Sequence, residues 1–386
     1  MNVPGGMRVA VVGVGYWGSK HLRVLNGLPE VREVVAVDPR LPSMPDYRHL
    51  VAEGRGFTSL DDALPHVDAV VVATHPTSHV SLGLQALAAG KHLLVEKPLA
   101  TTTADARALV RAADTAGLVL MVGHTFEHNP AVWTMRDLVQ SEEFGKVYFI
   151  ESERLNLGLY QSDVNVVFDL APHDISIANF VLGSQPTAVS TWGSKHVHPT
   201  LEDVAQVRLD YGEIDVVATI HVSWLHPHKV RRTVAVGANR MAVYDDLGVD
   251  ERIRIHDKSV QPPRRDSGDL SVSYRVGNVV SPVVDLAEPL AVQDSQFVSC
   301  ASTGRRPLSD GRSGLAVVQV LEAAQQSLRE HRTVDVPAMP DPVPAPAAHP
   351  GVPDRGGLVV SGPRRRRSAA SVSLDDVPAG GKAVAW

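Results

Sequence analysis

Arg8-Val9-Ala10-Val11-Val12 runs without a break into Gly13-Val14-Gly15-Tyr16-Trp17-Gly18. An apolar run of strand length that ends on three glycines, followed by His21, Leu22 and Leu25 at helical spacing, predicts a strand, a tight turn and a helix. Each glycine has its own steric task in such a turn. Gly13 permits the sharp reversal, Gly15 lets a pyrophosphate approach the backbone, and Gly18 allows the helix to lie close on the strand. The free N–H groups at the helix start offer hydrogen bonds and positive potential to the phosphates. Val14, Tyr16 and Trp17 complete the loop and are expected beside a dinucleotide.

The next apolar run, Val34 to Val37, ends at Asp38, twenty positions past Gly18. A carboxylate there accepts hydrogen bonds from the adenosine ribose and repels a 2′-phosphate, so NAD is expected over NADP. Arg40 offers an extra phosphate a partner, but its place after Asp38-Pro39 reads more simply as a solvated tip. Runs at Ala69 to Ala73, His92 to Val95 and Val119 to Val122 alternate with helical patterns, as parallel strands with crossover helices do. One such helix is marked by Val80, Leu84 and Leu87, with Ser78 placed as its N-cap and Gly90 just past its end. Before it, Thr74-His75-Pro76-Thr77-Ser78-His79 falls at the carboxyl edge where these sheets bind ligands. Thr74, His75 and His79 are candidate cofactor contacts, with helix capping as the alternative. Residues 1–123 thus read as an α/β dinucleotide-binding domain.

Beyond residue 145 the pattern has period two. Ile214, Val216, Ala218, Ile220 and Val222 alternate with Asp215, Val217, Thr219 and His221, and similar stretches recur at Val147–Arg154, Thr187–Thr191, Ala205–Asp210, Val230–Val236 and Met241–Tyr244. They predict an α+β domain over 124–336 with a large open, mostly antiparallel sheet. An exposed apolar face on that sheet would favour self-association. The last helix carries Val317, Leu321, Ala324 and Leu328 after Asp310-Gly311. From Pro337 the prolines, Gly356-Gly357 and the Arg364–Arg367 run predict a disordered tail over 337–386. A net charge of −6 argues against nucleic-acid and membrane partners and leaves a small molecule. One cysteine, Cys300, excludes an intramolecular disulfide, and with no leader-like or bilayer-length apolar stretch a cytoplasmic protein is expected. His196, His198, His221, His226 and His228 lack ligand spacing, so no metal is expected. Trp192 and Trp224, near strand ends, read as packing or interface residues.

Gly13 to Gly18, Ala89-Gly90-Lys91-His92 leading to Glu96-Lys97-Pro98, Asp169-Leu170-Ala171-Pro172-His173-Asp174-Ile175 and Thr303-Gly304-Arg305-Arg306-Pro307-Leu308 together resemble one family. It is the glucose-fructose oxidoreductase, inositol dehydrogenase and MocA (Gfo/Idh/MocA) group of NAD(P)-dependent sugar oxidoreductases, and the likeness runs from Met7 to about Glu330. The resemblance implies a Rossmann domain followed by the α+β domain, and an NAD-dependent dehydrogenase that passes hydride from a sugar hydroxyl to the nicotinamide. It also implies a homo-oligomer, dimer or tetramer. Val122 to Pro130 and His221 to Lys229 are similar to dehydrogenases of nucleotide-linked sugars, implying oxidation of a ring hydroxyl of a nucleotide-linked N-acetyl sugar or sugar acid. Inositol or a free sugar is the alternative substrate, and a non-catalytic NAD sensor the alternative of another class.

Oxidising a secondary alcohol needs a base for its proton and a cation or donor to hold its oxygen. Lys97, where strand His92–Val95 ends and Pro98 bars helical geometry, is placed to reach ribose and substrate, and the resemblance puts it on the reacting hydroxyl with Glu96 beside the cofactor. His173, after Pro172, reads as the first turn of a helix, where the dipole would keep its ring neutral. Asp169, four residues earlier, would orient that ring or bind a neighbouring hydroxyl. The base is open between Lys97 and His173, with His173 preferred. Arg154 and Asn156 are candidate substrate contacts, and Arg154, His228, Lys229, Arg231 and Arg232 offer cations to a diphosphate.

Overall fold

Runs of valine, leucine and alanine with no polar alternation can only be satisfied by a sheet buried on both faces, and the N-terminal part of the chain builds one. The computed structural model describes residues 6–44, 53–158, 160, 161, 164–261, 272–285 and 287–339. Strands β1 (Met7–Val12), β2 (Val31–Val37), β3 (Gly56–Phe57), β4 (Ala69–Val72), β5 (His92–Val95) and β6 (Leu120–Val122) form a parallel sheet in the order β3-β2-β1-β4-β5-β6. Between them run α1 (Tyr16–Asn26), α2 (Leu60–Ala63), α3 (Pro76–Ala88) and α4 (Thr103–Ala116). Alternate residues of β1 feed two separate cores. Val9 and Val11 pack with Leu22, Leu25 and Phe297, while Ala10 and Val12 belong with Leu87, Leu109 and Leu315 on the other side.

After α5 (Pro130–Val139) the second sheet follows, with β7 (Val147–Leu157), α6 (Val166–Leu182), β8 (Ala188–Ser194), β9 (Val204–Tyr211), β10 (Val216–Ser223), β11 (Leu225–Gly237), β12 (Met241–Asp245) and β13 (Ile253–His256). A separate pair, β14 (Ser259–Gln261) with β15 (Ser273–Arg275), precedes the edge strand β16 (Val279–Val280). Helices α7 (Pro289–Thr303) and α8 (Gly311–Glu330) and the short β17 (Val334–Asp335) complete the described chain. The nine-stranded order is β16-β13-β12-β11-β7-β10-β9-β8-β17, antiparallel except where β10 pairs with β7. Helix α8 ties the two halves, because Leu315 and Val318 enter the core of the parallel sheet while Val317, Val320 and Leu321 enter that of the second.

Four local expectations change. Strand β10 starts at Val216, not Ile214, because Asp215 at φ 54° closes a turn that leaves Ile214 exposed. Helix α3 is capped by His75 rather than Ser78, since Pro76 at its first position costs no N–H and presets φ. Helix α6 begins a full two turns earlier than Pro172 suggested: Asn165 caps it by accepting from Phe168 N, and Pro172 lies inside. An interior proline costs about 3 kcal/mol, offset here by the deep burial of Val166, Val167, Ala171 and Ile175. Finally, the open face of the nine-stranded sheet is apolar only in part: Phe149, Val217, Val236 and Met241 are cross-strand neighbours that stay half-buried or exposed on it, and polar residues occupy the rest. Glu151, Glu153, Arg208, Thr219 and His221 line a cavity of about 870 Å³ there beside Trp192, which is 62% exposed.

Among the described residues no helix is long and apolar enough to cross a membrane, and no group of His, Cys, Asp or Glu is gathered to hold a metal ion. The tail from residue 340 onward lies outside the described residues.

Candidate active site

The glycine turn shows the three steric tasks in its geometry. Gly13 has φ +89°, and a Cβ on it would meet Thr74 Cγ2 at 2.7 Å. A Cβ on Gly18 would fall 1.7 Å from Gly13 O, so helix and strand approach too closely for any side chain. A Cβ on Gly15 would meet no protein atom within 4 Å; it would project into the space a pyrophosphate needs. Gly15 is also the N-cap of α1 and caps no N–H with a side chain, which leaves those donors for an anion. Tyr16 and Trp17, edge to face with ring centroids 5.4 Å apart, are exposed at the start of α1.

Asp38 stands where β2 ends, with only 3% of its surface exposed. Burial would raise its carboxyl pKa, but hydrogen bonds from the Arg40 guanidinium and from the N–H groups of Arg40 and Val14 hold it below the usual range. Arg40 Nη2 lies 3.0 Å from Asp38 Oδ2, so the carboxylate already engages a cation that a 2′-phosphate would use. These features fit NAD.

Strand β5 delivers Lys97 to the same edge, followed by a cis bond to Pro98. Its Nζ donates to the carbonyl oxygen of Asp169 at 2.9 Å and lies 3.6 Å from Asp169 Oδ1. Asp169 is in the first turn of α6 and His173 one turn further, so both project from one helix face towards the sheet edge. Trp224 Nε1 donates to Asp169 Oδ2 at 3.1 Å, and Tyr160 packs on the indole with ring centroids 4.8 Å apart. Trp224 is thus a packing residue as expected, with the added task of orienting Asp169.

His173 is not at a helix N-terminus, so the dipole explanation for its neutrality fails. Burial, and then the positive charges of Lys97 and Arg154, push its pKa well below the ordinary value. Its Nδ1 is buried without a partner, which leaves Nε2 as the nitrogen to meet a ligand. Phe126 touches the ring edge-on at 5.1 Å, and the Arg154 guanidinium lies 4.5 Å from the Phe126 centroid. Arg154 is itself clamped by Asp174, with Nε to Oδ2 at 2.7 Å and Nη2 to Oδ1 at 3.1 Å. It is buried behind His173, in place of the substrate contact expected of it. Asn156 shares the Arg154 face of β7, two residues nearer the strand end.

Two further candidates turn inward. The His79 ring is fully buried, facing the carbonyl oxygens of Pro98 (2.9 Å) and Thr74 (3.1 Å), so it braces two loops rather than touching a cofactor. Glu96 points away from the edge, within 3.0 Å of His21 Nε2, while His21 Nδ1 lies 2.9 Å from Asp294 of α7. Burial would strip the proton from His21; the Asp294 and Glu96 carboxylates overcome this and raise it to about 10. Glu96 Oε2 accepts from the Lys97 backbone N–H, so this buried charge cluster holds the chain at Lys97 from behind. Thr74 Oγ1 is tied to Ser78 Oγ at 2.8 Å, and His75 is exposed. His21, Asp294, Phe126 and Asp174 were missed in the sequence because none sits in a glycine turn or beside Lys97 or His173 in the chain, apart from Asp174.

Strand alternation sorts the cations proposed for a diphosphate. Arg231 pairs directly with Arg154 across β11 and β7 and so shares its face, whereas Arg232 pairs with Glu153 and points to the open face. Arg231 Nη1 lies 3.2 Å from Asp246, and its side chain keeps 37% exposure. His228 and Lys229 are exposed in the irregular stretch of β11.

Two family models match the chain, one for the oxidoreductase family with an NAD-binding Rossmann fold at residues 7–124 and one for the GFO/IDH/MocA C-terminal domain at 132–243. The chain is 28% identical over 83% of its length to UDP-N-acetylglucosamine 3-dehydrogenase of Acidithiobacillus ferrooxidans, spanning 96% of that protein. A solved structure of that enzyme superposes with a TM-score of 0.71, covering 84% of this chain and 98% of the other. Inositol 2-dehydrogenase of Rhizobium meliloti is 22% identical over 86% of this chain and 99% of its own. GenD2 from gentamicin A biosynthesis, solved in complex with NAD, is 26% identical with a TM-score of 0.71 over 88% and 98% of the two chains.

Proposed function

We propose a substrate and a division of labour for a chain that belongs to the Gfo/Idh/MocA family of NAD-dependent oxidoreductases. Its coarse chemistry is that of a sugar or polyol dehydrogenase. Our finer reading is that it oxidises a ring hydroxyl of a nucleotide-linked N-acetyl sugar, or of its uronic acid, to a keto sugar.

The observation that carries the catalytic reading is the meeting of Lys97 from one half with Asp169 and His173 from the other. When bound, NAD supplies the acceptor for the hydride. His173 Nε2, kept neutral, takes the hydroxyl proton as the carbonyl forms. Lys97, fixed by the Asp169 carbonyl, holds the substrate oxygen and stabilises its developing negative charge. Asp169, oriented by Trp224, accepts from a neighbouring hydroxyl. With this set on an oxidoreductase scaffold, the sensor reading is set aside.

The nucleotide-linked substrate is supported by Arg231, which shares the Arg154 face of the sheet and is partly exposed, and by the likeness to the Acidithiobacillus enzyme. Inositol or a free sugar is the second reading, favoured by the Rhizobium relative and by the engagement of Arg231 with Asp246. Calorimetric titration of the NAD-loaded protein separates them. Heat from UDP-sugars and none from myo-inositol is expected; tight inositol binding with no heat from any UDP-sugar overturns the assignment. We further propose a homodimer or homotetramer formed through the open sheet face, supported by the exposed Trp192 and Phe149 on it. A monomer in sedimentation at working concentration would rule it out.

A further inference from the structure

Three ionisable side chains from three different elements meet in the interior behind Lys97. The His21 ring is fully buried on α1, three residues on from Gly18. Its Nε2 lies 3.0 Å from Glu96 Oε1, and its Nδ1 lies 2.9 Å from Oδ2 of Asp294, which is 273 positions further along the chain on α7. Each ring nitrogen thus faces a carboxylate, and each can donate a hydrogen to it. Glu96 is fixed on its remaining sides too. Its Oε2 accepts from the Lys97 backbone N–H at 3.1 Å, and its carboxylate lies against bare Gly123, where a Cβ would stand 2.8 Å from Oε1. Beside Asp294, Gln293 Oε1 accepts from Thr125 Oγ1 at 2.9 Å, so α7 braces the ends of both β5 and β6.

We propose that His21 and Asp294 are positioning residues: through Glu96 they fix the Lys97 backbone relative to α1, and so set the distance between the cofactor and the substrate oxygen held by Lys97. The two reactants are carried by different elements. The glycine turn at the start of α1 fits the pyrophosphate, while Lys97 leaves the end of β5, and His21 is a polar bridge from one to the other. Burial keeps both residues off cofactor and sugar, so their effect passes through Glu96. A buried ion set adds little stability over apolar packing of the same volume, which leaves placement as what this one supplies. Placement matters because a reactant displaced by about 1 Å can cost about 10²-fold in rate. The inference rests on the proposed role of Lys97 and holds for any sugar.

Hydrogen exchange and turnover of His21→Leu test it in the full chain. Exchange in a peptide spanning residues 93–99 should be at least about threefold faster, while a peptide across β9 and β10 keeps the wild-type rate. With UDP-N-acetylglucosamine, or myo-inositol if that is the sugar oxidised, kcat per NADH-binding site should fall about 10- to 100-fold. The KM for the sugar and the affinity for NADH should each change by less than about threefold. Wild-type kcat, a loss of kcat without faster exchange at 93–99, or faster exchange throughout the chain overturns the proposal. Should the leucine variant fail to fold, Asp294→Asn decides. It keeps an acceptor for His21 Nδ1 but removes a charge, so the same pattern should appear with a kcat loss of about 3- to 10-fold; wild-type kcat overturns it. Near-normal turnover of Lys97→Ala would instead remove the reading of Lys97, whereas an inactive Lys97→Ala beside a fully active His21→Leu refutes the positioning role alone.

Discussion

Between β1 and α1 the proposed ligand-facing positions are backbone, whereas between β5 and α6 they are side chains. At the glycine turn nothing but bare peptide fits: Gly18 abuts Gly13 O, Gly13 abuts Thr74, and Gly15 fronts open space. At α6 the candidate groups are an imidazole and a carboxylate, each held by a stack of partners, Arg154–Asp174 and Phe126 behind His173 and Trp224 behind Asp169. Backbone sites are specified by steric exclusion within a few consecutive residues. Side-chain sites need supports drawn from distant strands, and their chemistry is set by burial and neighbouring charge.

Substitutions on the two sides should therefore fail differently. The largest effect is expected at His173→Ala, which removes the proposed base and should lower kcat by about 10²–10⁴ with NADH affinity intact. Lys97→Ala should lose a similar factor and weaken NADH as well; near-normal turnover in either variant removes that residue from the mechanism. Next is Arg154→Met. It leaves the Asp174 carboxylate buried and unpaired, a loss of about 3–5 kcal/mol. Thermal unfolding should show a lowered Tm, and an unchanged Tm would mean that the ion pair does not support α6. Gly18→Ala should destabilise by about 1–3 kcal/mol from overpacking, while Gly15→Ala should unfold as wild type yet bind NAD more weakly. Equal stability of the two would erase the contrast between close approach and ligand cradle. The smallest change is expected at Asp38→Ala, where loss of a charged hydrogen bond should shift the NAD over NADP preference by roughly 10- to 100-fold. A wild type that already binds NADPH more tightly than NADH would refute the Asp38 argument.

The Rossmann half and the second sheet were legible because their signals are local. Three glycines at fixed spacing, an acid at the end of the next strand, and period-two alternation in β10 each depend on neighbours only a few residues away. Lys97, Asp169 and His173 were legible only through the likeness of their surrounding motifs to a family. The start of α6 was misread because proline is most often a first-turn residue, and only the packing of Val166, Val167 and Ala171 shows that the helix is paid for upstream of Pro172.

By itself, then, the sequence determined two sheets of different period and a dinucleotide cradle, and its motifs nominated Lys97, Asp169 and His173 as the reacting side chains. Tertiary structure alone decided the inward turn of Glu96 onto His21 and Asp294, the loss of Arg154 to Asp174, and the separation of Arg231 from Arg232 onto opposite faces. The reason is physical. A side chain's charge state and free hydrogen-bonding capacity depend on what lies within a few ångströms of it, and in this chain those neighbours are mostly dozens to hundreds of residues away.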